Sequence, residues 1–342
     1  MKKKNIPFCI QHILSEYSDE RHILTRGDIE AHLLNLYGIT SDRRTVYSAV
    51  EMLQQMGHDI STYSENGIGY YLCERVIEPS EVHLLTDAVC ALPFISGDQT
   101  LRLINKLQSL LSVYERRHIR NLTIDRSDCK TVNKNVFFNI DMLDEAIEKK
   151  VQVQFDYCSY GTDKQLHNRR DEPYIVNPYG LTYSNEHYYL ICNMEGKPKP
   201  SMYRIDRIRN IRLTDVPRDV PGTDFSVDQF VSKAVYAHGG ESELVTLRID
   251  RSVLSDVIDK FGTDIIVGEP VRISTGGSAS DTASGDDKLI VSVNVAPAGM
   301  KYWALQYLAH VEVLSPLALR EEIMDIIRHN PYFAGTAGEA QS

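Results

Sequence analysis

Two neighbouring stretches decide how this chain is read: Asn177–Asn193, NPYGLTYSNEHYYLICN, and Met202–Ile211, MYRIDRIRNI. In the first, aromatic and β-branched residues run up to Ser184-Asn185-Glu186 and resume at once, the pattern of two strands joined by a tight turn. The second sets Arg204, Arg207 and Arg209 in an otherwise apolar segment of a protein with net charge −10. On one continuous strand Arg204 and Arg207 would point to opposite faces and could not grip one anion together. A turn at Asp206 would bring both guanidiniums to one side and leave Arg209 on the surface. The backbone at Asp206 therefore separates a binding site from a decorated sheet edge.

Working outward, residues 134–216 are mostly β after a short helix, Ile140–Lys150, with further strands at Val151–Tyr160 and Glu172–Asn185. A proline-rich acidic linker, Asp215–Phe225, follows. Residues 240–330 have the order β-α-β-β-α-β-α, much like a ferredoxin-type sandwich, interrupted by a Gly/Ser/Asp loop at Ser274–Asp287 and followed by a tail, Ala334–Ser342. Towards the start, Pro7–Tyr17 carries Phe8, Ile10, Ile13, Leu14 and Tyr17 at helical spacing. Ile29, Leu33, Leu34 and Tyr37 mark a second helix ending at Gly38, and Val46, Val50, Leu53 and Met56 a third, with Ser41 as N-cap. Asn66-Gly67, between Ile60, Tyr63, Tyr70 and Tyr71, signals a β-hairpin. Residues 1–76 thus have the order of a winged helix-turn-helix, and 77–133 form a helical linker, leucine-rich over 81–118, closing with a polar connector at Asp125–Asn135.

With 342 residues and 42% hydrophobic content, two or three folded domains are expected. No run approaches the roughly 18 apolar residues of a membrane helix, and the basic start MKKKNIPFCI lacks the apolar core of a secretory signal, so a cytoplasmic protein is expected. Cys9, Cys73, Cys90, Cys129, Cys158 and Cys192 are scattered without a Cys-x-x-Cys pair, which favours free thiols over disulfides or zinc. The acidic balance argues against a broadly basic nucleic-acid coat but permits a local cationic patch.

The core NPYGLTYSNEHYYLICN followed by YRIDRI resembles a WYL domain. The family's Trp-Tyr-Leu triplet stands here as Tyr188-Tyr189-Leu190, with Pro178-Tyr179-Gly180-Leu181 upstream and Arg204-x-Asp206-Arg207-Ile208 downstream. WYL-type transcription regulators combine a winged helix, helical linkers, an Sm-like WYL β-barrel and a ferredoxin-like C-terminal extension, WCX. The resemblance therefore implies a multidomain α+β protein with those parts at 1–76, 77–133, 134–216 and 240–330. It also implies that the barrel senses ligands, including single-stranded nucleic acid, in a basic groove.

Candidate residues fall into two sets. Arg43, Arg44, Thr45, Tyr47 and Ser48 occupy the first two turns of the third helix, where a recognition helix meets bases and phosphates of double-stranded DNA. Against this, residues 1–76 hold eight Lys/Arg and ten Asp/Glu, so a solvated helix face is the bland alternative. Tyr157, Tyr179, Tyr189 and Tyr203 with Arg169, Arg170, Arg204 and Arg207 supply rings for stacking and guanidiniums for phosphate, the makings of a nucleotide or single-strand effector site. Here too a plain alternative exists, since tyrosines fill strand cores and Asp206 can tie down Arg204 or Arg207. His167 and Asn168 are read as loop surface and Trp303 as a packing anchor; Lys301, Arg272 and Arg248 could extend a groove. No catalytic, metal, phosphate-loop or dinucleotide motif is present, so no cofactor and no enzymatic activity are expected. The expected protein is a bacterial, homodimeric transcription regulator without membrane attachment. Its rivals are a nucleic-acid-processing factor using the barrel for substrate and the winged helix for protein contacts, and a pure interaction scaffold.

Overall fold

A computed structural model describes residues 5–118, 130–197, 199–219, 225–236, 238, 241–268 and 288–332. The expected Ser274–Asp287 loop, the tail from Ala334, Arg272 and Cys129 lie outside the described residues, as do parts of the two expected linkers. The chain divides into two compact units, residues 1–134 and 135–342.

The first unit opens with α1 (Ile6–Tyr17), α2 (Arg26–Tyr37) and α3 (Arg43–Gln55). A capping box between Thr25 and Asp28 starts α2, and Gly38 ends it at φ 64°. Asp42, not Ser41, caps α3, because its carboxylate accepts from Thr45 N at 2.8 Å. The three helices bury Ile10, Ile13, Leu14, Ile29, Leu33, Val46, Val50 and Leu53 in one core. Phe8, Leu34 and Met56, expected inside from helical period, are exposed. Phe8 lies about 200° around α1 from Ile6, which takes the core position instead.

The ribbon that follows is β1 (Ile60–Ser61) paired with β2 (Tyr71–Leu72), but its tip is not the expected two-residue hairpin. Residues Tyr63–Asn66 form a helical turn, α4. Thr62 and Glu65 make a capping box that favours this turn, and Asn66 Oδ1 accepts from Ile68 N and Gly69 N on the way out. Next come α5 (Pro79–Ala91), α6 (Gly97–Gln108) and α7 (Glu115–His118). The last is fastened to α1: Arg116 forks both carboxylate oxygens of Glu16 at 2.8 and 2.6 Å, and Ser112 Oγ donates to Asp19 at 2.9 Å.

The second unit begins with α8 (Val136–Lys149), then β3 (Val151–Tyr160), β4 (Leu166–Asn168), β5 (Tyr174–Ser184), β6 (His187–Met194), β7 (Ser201–Arg204) and β8 (Ile208–Pro217). The strands pair in the order β4-β3-β5-β6-β7, with β8 also on β3. Because β7 and β8 are separated by only the three residues Ile205–Arg207, the sheet is curled until its two flanks are joined through one short turn. His167 and Asn168 belong to β4, paired with Ser159 and Cys158, rather than to a loop. A helix α9 (Val227–Lys233) leads to β9 (Glu243–Asp250), α10 (Leu254–Phe261), β10 (Ile266–Val267), β11 (Lys288–Val295), α11 (Pro297–Gln306), β12 (Val311–Ser315) and α12 (Leu317–Arg328). Their all-antiparallel order β10-β11-β9-β12 is that of a ferredoxin-like sandwich. Trp303, 1% exposed, anchors its core against Phe261 and Tyr307.

Candidate effector site and nucleic-acid interface

The backbone does turn at Asp206. Residues Ile205–Arg207 form a single 3₁₀ turn whose carbonyls are held from α8: Asn139 Nδ2 donates to Ile208 O at 2.8 Å and Ile205 O at 3.4 Å. The turn gives its two arginines unlike roles. Arg204 forks Asp206 through Nε at 3.0 Å and Nη2 at 2.7 Å, and Asp206 is 2% exposed. A buried carboxylate needs such a partner, so Arg204 is a structural cation. Arg207 is half-buried, its Nε is shut off from solvent without a hydrogen-bond acceptor, and it makes no ion pair among the described residues. Arg209 is half-buried and donates to Leu166 O at 3.4 Å, away from this turn.

Beside the turn lies an aromatic cluster. Tyr157 and Tyr203 meet edge-to-face at 4.9 Å, Tyr174 lies 5.7 Å from Tyr203 and 5.9 Å from Tyr157, and Phe155 stacks on Tyr174 at 5.9 Å. The Tyr157 hydroxyl accepts from Arg204 N at 3.2 Å, joining the cluster to the turn. Burial raises the Tyr157 phenol, partly offset by the Arg204 N–H and the Arg207 charge, and pushes Tyr203 up to about 12. Both rings therefore stay neutral at physiological pH. Tyr189 pairs across the strands with Arg204 and shares its face; Leu190 pairs with Tyr203 on the other face. Burial raises Tyr189 as well, against the nearby charges of Arg204 and Arg207.

Two more cations overhang the rings. The Arg170 guanidinium lies 3.7 Å from the Tyr174 centroid and is tied down by donating to Glu172 O and Pro173 O. Arg169 is exposed, 5.6 Å over Tyr157, with no side-chain hydrogen bond among the described residues. Arg169 and Arg207 thus make no ion pair among the described residues, while Arg170 and Arg204 are engaged within the fold.

Of the eight expected effector residues, Tyr157, Tyr203, Arg169 and Arg170 gather at the aromatic cluster, Arg204 and Arg207 bound the turn, Tyr189 lies beside Arg204 on the sheet face opposite Tyr203, and Tyr179 lies apart from all of them. Its hydroxyl lies 2.8 Å from Asn193 Oδ1 and 2.9 Å from Asp219 O, and its ring faces Phe225. The sequence reading missed Tyr174, which sits at the first position of β5; alternation back from Val176 would have placed it on one face with Val176.

On α3, Arg43, Arg44, Tyr47 and Ser48 are exposed, and Arg43 lies 5.2 Å over the Tyr47 ring. Thr45 is not available in the expected way, because its hydroxyl donates to Asp42 at 2.7 Å within the cap. A cleft of about 530 Å³ in this unit lies elsewhere, lined among others by His22, Arg75 and Tyr114.

Among the described residues no helix is long and apolar enough to cross a membrane, and no group of three His, Cys, Asp or Glu is placed to hold a metal.

Fold and site together define a class: a multidomain α+β protein in which a curled sheet bearing tyrosines and arginines precedes a ferredoxin-like sandwich. Family models place a WYL domain at residues 139–213 and a WCX domain at residues 241–329, so the chain carries one of each. Solved structures similar to it include proteasome accessory factor B/C (PafBC) of Arthrobacter aurescens, at 15% identity over 96% of this chain and TM-score 0.28. The chain spans about half, 49%, of that protein's length. A second, a CRISPR Cas-related protein, is 12% identical over 78% of this chain and 76% of its own, with TM-score 0.34. No curated protein matches the chain.

Proposed function

We propose that the chain is a DNA-binding transcription regulator whose WYL region takes an anionic effector, a nucleotide or single-stranded nucleic acid. The observation that carries the effector half is Arg207: a cation with a desolvated Nε and no acceptor, set beside Tyr157 and Tyr189. With no ion pair among the described residues, this half-buried cation can pair with an incoming phosphate, while a base stacks on the face of the half-buried Tyr189 ring. The DNA half rests on residues 1–76 being a winged helix-turn-helix, with Arg43 and Arg44 presented at the start of α3. Two copies pair through the leucine-rich helices of residues 81–118, where Leu84 and Leu85 stand exposed. Effector contact then biases how two α3 helices meet two half-sites. No catalytic step and no cofactor enter this reading.

The effector half is tested by titrating single-stranded oligonucleotides and cyclic nucleotides against wild type and Arg207→Ala. A loss of about tenfold or more in affinity is expected, one charge-assisted contact. Equal affinities would sink the assignment.

A further inference from the structure

The Pro178-Tyr179-Gly180-Leu181 stretch takes no part in the effector cluster, yet it is densely engaged. Its partner is the connector between the curled sheet and the sandwich. Arg218 Nη1 donates to Pro178 O, and the Arg218 guanidinium lies 5.5 Å over the Tyr179 ring. The Tyr179 hydroxyl lies 2.9 Å from Asp219 O, while Asp219 N donates to the buried Asn177 at 2.9 Å. Further along, Phe225 packs on the Tyr179 ring at 5.3 Å. A Cβ at Gly180 would come within 2.9 Å of Val227 Cγ1 in α9, so this position holds glycine for space.

The other end of the same connector is built into the sandwich. Val235 is 2% exposed within its core, and a Cβ at Gly299 in α11 would come within 2.0 Å of Val235 O. Ala296 N donates to Lys233 O at 2.9 Å, and Lys260 lies 4.3 Å over the Tyr236 ring. One short segment is therefore clamped twice, each time where a glycine lets backbone or side chain come close. Strand β5 adds the third piece. It carries Tyr174 of the effector cluster at one end and Gly180 six residues on, about 20 Å along the strand. The pairing of β5 with β6 slips by one residue between Pro178 and Gly180, the bulge that presents this stretch to the connector.

We propose that Pro178–Leu181 is a socket and that the connector, through its described residues 218–219 and 225–236, is a strap that couples the WYL sheet mechanically to the WCX sandwich. Displacement of β5 moves α9, and α9 moves α11. The coupling holds whatever the sheet binds, so it stands apart from the effector proposal.

Amide hydrogen exchange on the full chain tests it. Gly180→Ala should speed exchange about tenfold at Phe230 and Ala234 in and after α9, and also at Ala296 in the sandwich, by overpacking the socket. Adding Val227→Ala leaves the nearest atom, Val227 Cβ, at 3.6 Å, an ordinary contact, and should return all three amides to within about twofold of wild type. Faster exchange in α9 with Ala296 unchanged would overturn the coupling. No change at any of the three would overturn the docking. Should Gly180→Ala fail to fold, Tyr179→Phe removes only the hydroxyl and should produce the same pattern at smaller size; an Ala296 amide exchanging as in wild type would then refute the strap.

Discussion

At the scale of single residues, Arg204 and Arg207 stand three apart in one 3₁₀ turn and differ in everything but side chain. Removing Arg204 leaves Asp206 buried without its bidentate partner, while removing Arg207 strands no acceptor. Arg204 is 22% exposed, so the full penalty for breaking a buried pair does not apply. A loss of about 2–3 kcal/mol is expected for Arg204→Ala in urea denaturation, against less than about 0.5 kcal/mol for Arg207→Ala. The opposite order is expected for anion binding. A fall in affinity in Arg204→Ala thus reports a damaged turn as readily as a lost contact, and only Arg207→Ala isolates the site. If Arg207→Ala proves the less stable of the two, the division of roles is wrong.

This contrast also shows what was legible beforehand. The arginine spacing and the Asp206 between them were plain in the sequence, and they posed the right question about the backbone. Which arginine Asp206 would take was not legible, because the choice depends on the geometry of the turn and on Asn139, 66 residues away from Ile205 in the chain. Thr45 fails for a related reason: its hydroxyl goes to a neighbouring cap, a local competition that residue type alone does not decide. Tyr179 was grouped with the other tyrosines by chemistry, but the bulge in β5 shifts its register and sends it to the connector.

At the scale of elements, periodicity found the helices and strands well, and misplaced the ribbon tip. Asn66-Gly67 is a strong hairpin signal, but Thr62 and Glu65 just before it make a helix start, and the local capping box prevails. The clasp between α1 and the segment before α7 could not be read from sequence, since it joins residues about a hundred positions apart. It has a pH signature. Burial alone would raise Asp19, yet hydrogen bonds from His22, Ser112 and the Arg21 N–H hold its carboxyl below the ordinary 3.8. A depressed carboxyl adds stability above its unfolded value, and that stability is lost as pH falls through the lower folded value. Ser112→Ala should therefore melt below wild type at pH 6, with the two denaturation midpoints converging as pH falls below the ordinary 3.8. A gap that persists unchanged at acid pH would mean that Ser112 acts through packing rather than through Asp19. The cap of α3 gives a companion test, because Asp42→Ala removes the acceptor of both Thr45 bonds and should cost about 1 kcal/mol in thermal or urea unfolding.

At the scale of the whole molecule, the proposed function asks how an acidic protein would hold duplex DNA. Ten acids against eight bases over residues 1–76 rule out affinity from net charge, so the proposed binding would have to come from a few placed cations. Arg43 and Arg44 are exposed at the start of α3, and the ribbon tip, Ser64–Gly67, carries neither Lys nor Arg. Each phosphate contact contributes about −0.9 to the slope of log affinity against log salt concentration. If both arginines touch phosphate, Arg43→Ala with Arg44→Ala should flatten that slope by about 1.8 for one bound copy and about 3.6 for a dimer seated on two half-sites. Gel shifts on promoter fragments across a salt series measure it directly. A change near the larger figure supports two recognition helices working together, as the proposed allosteric readout requires. The smaller figure would leave DNA contact standing and remove the dimer from the mechanism, and an unchanged slope would remove α3 from the interface altogether.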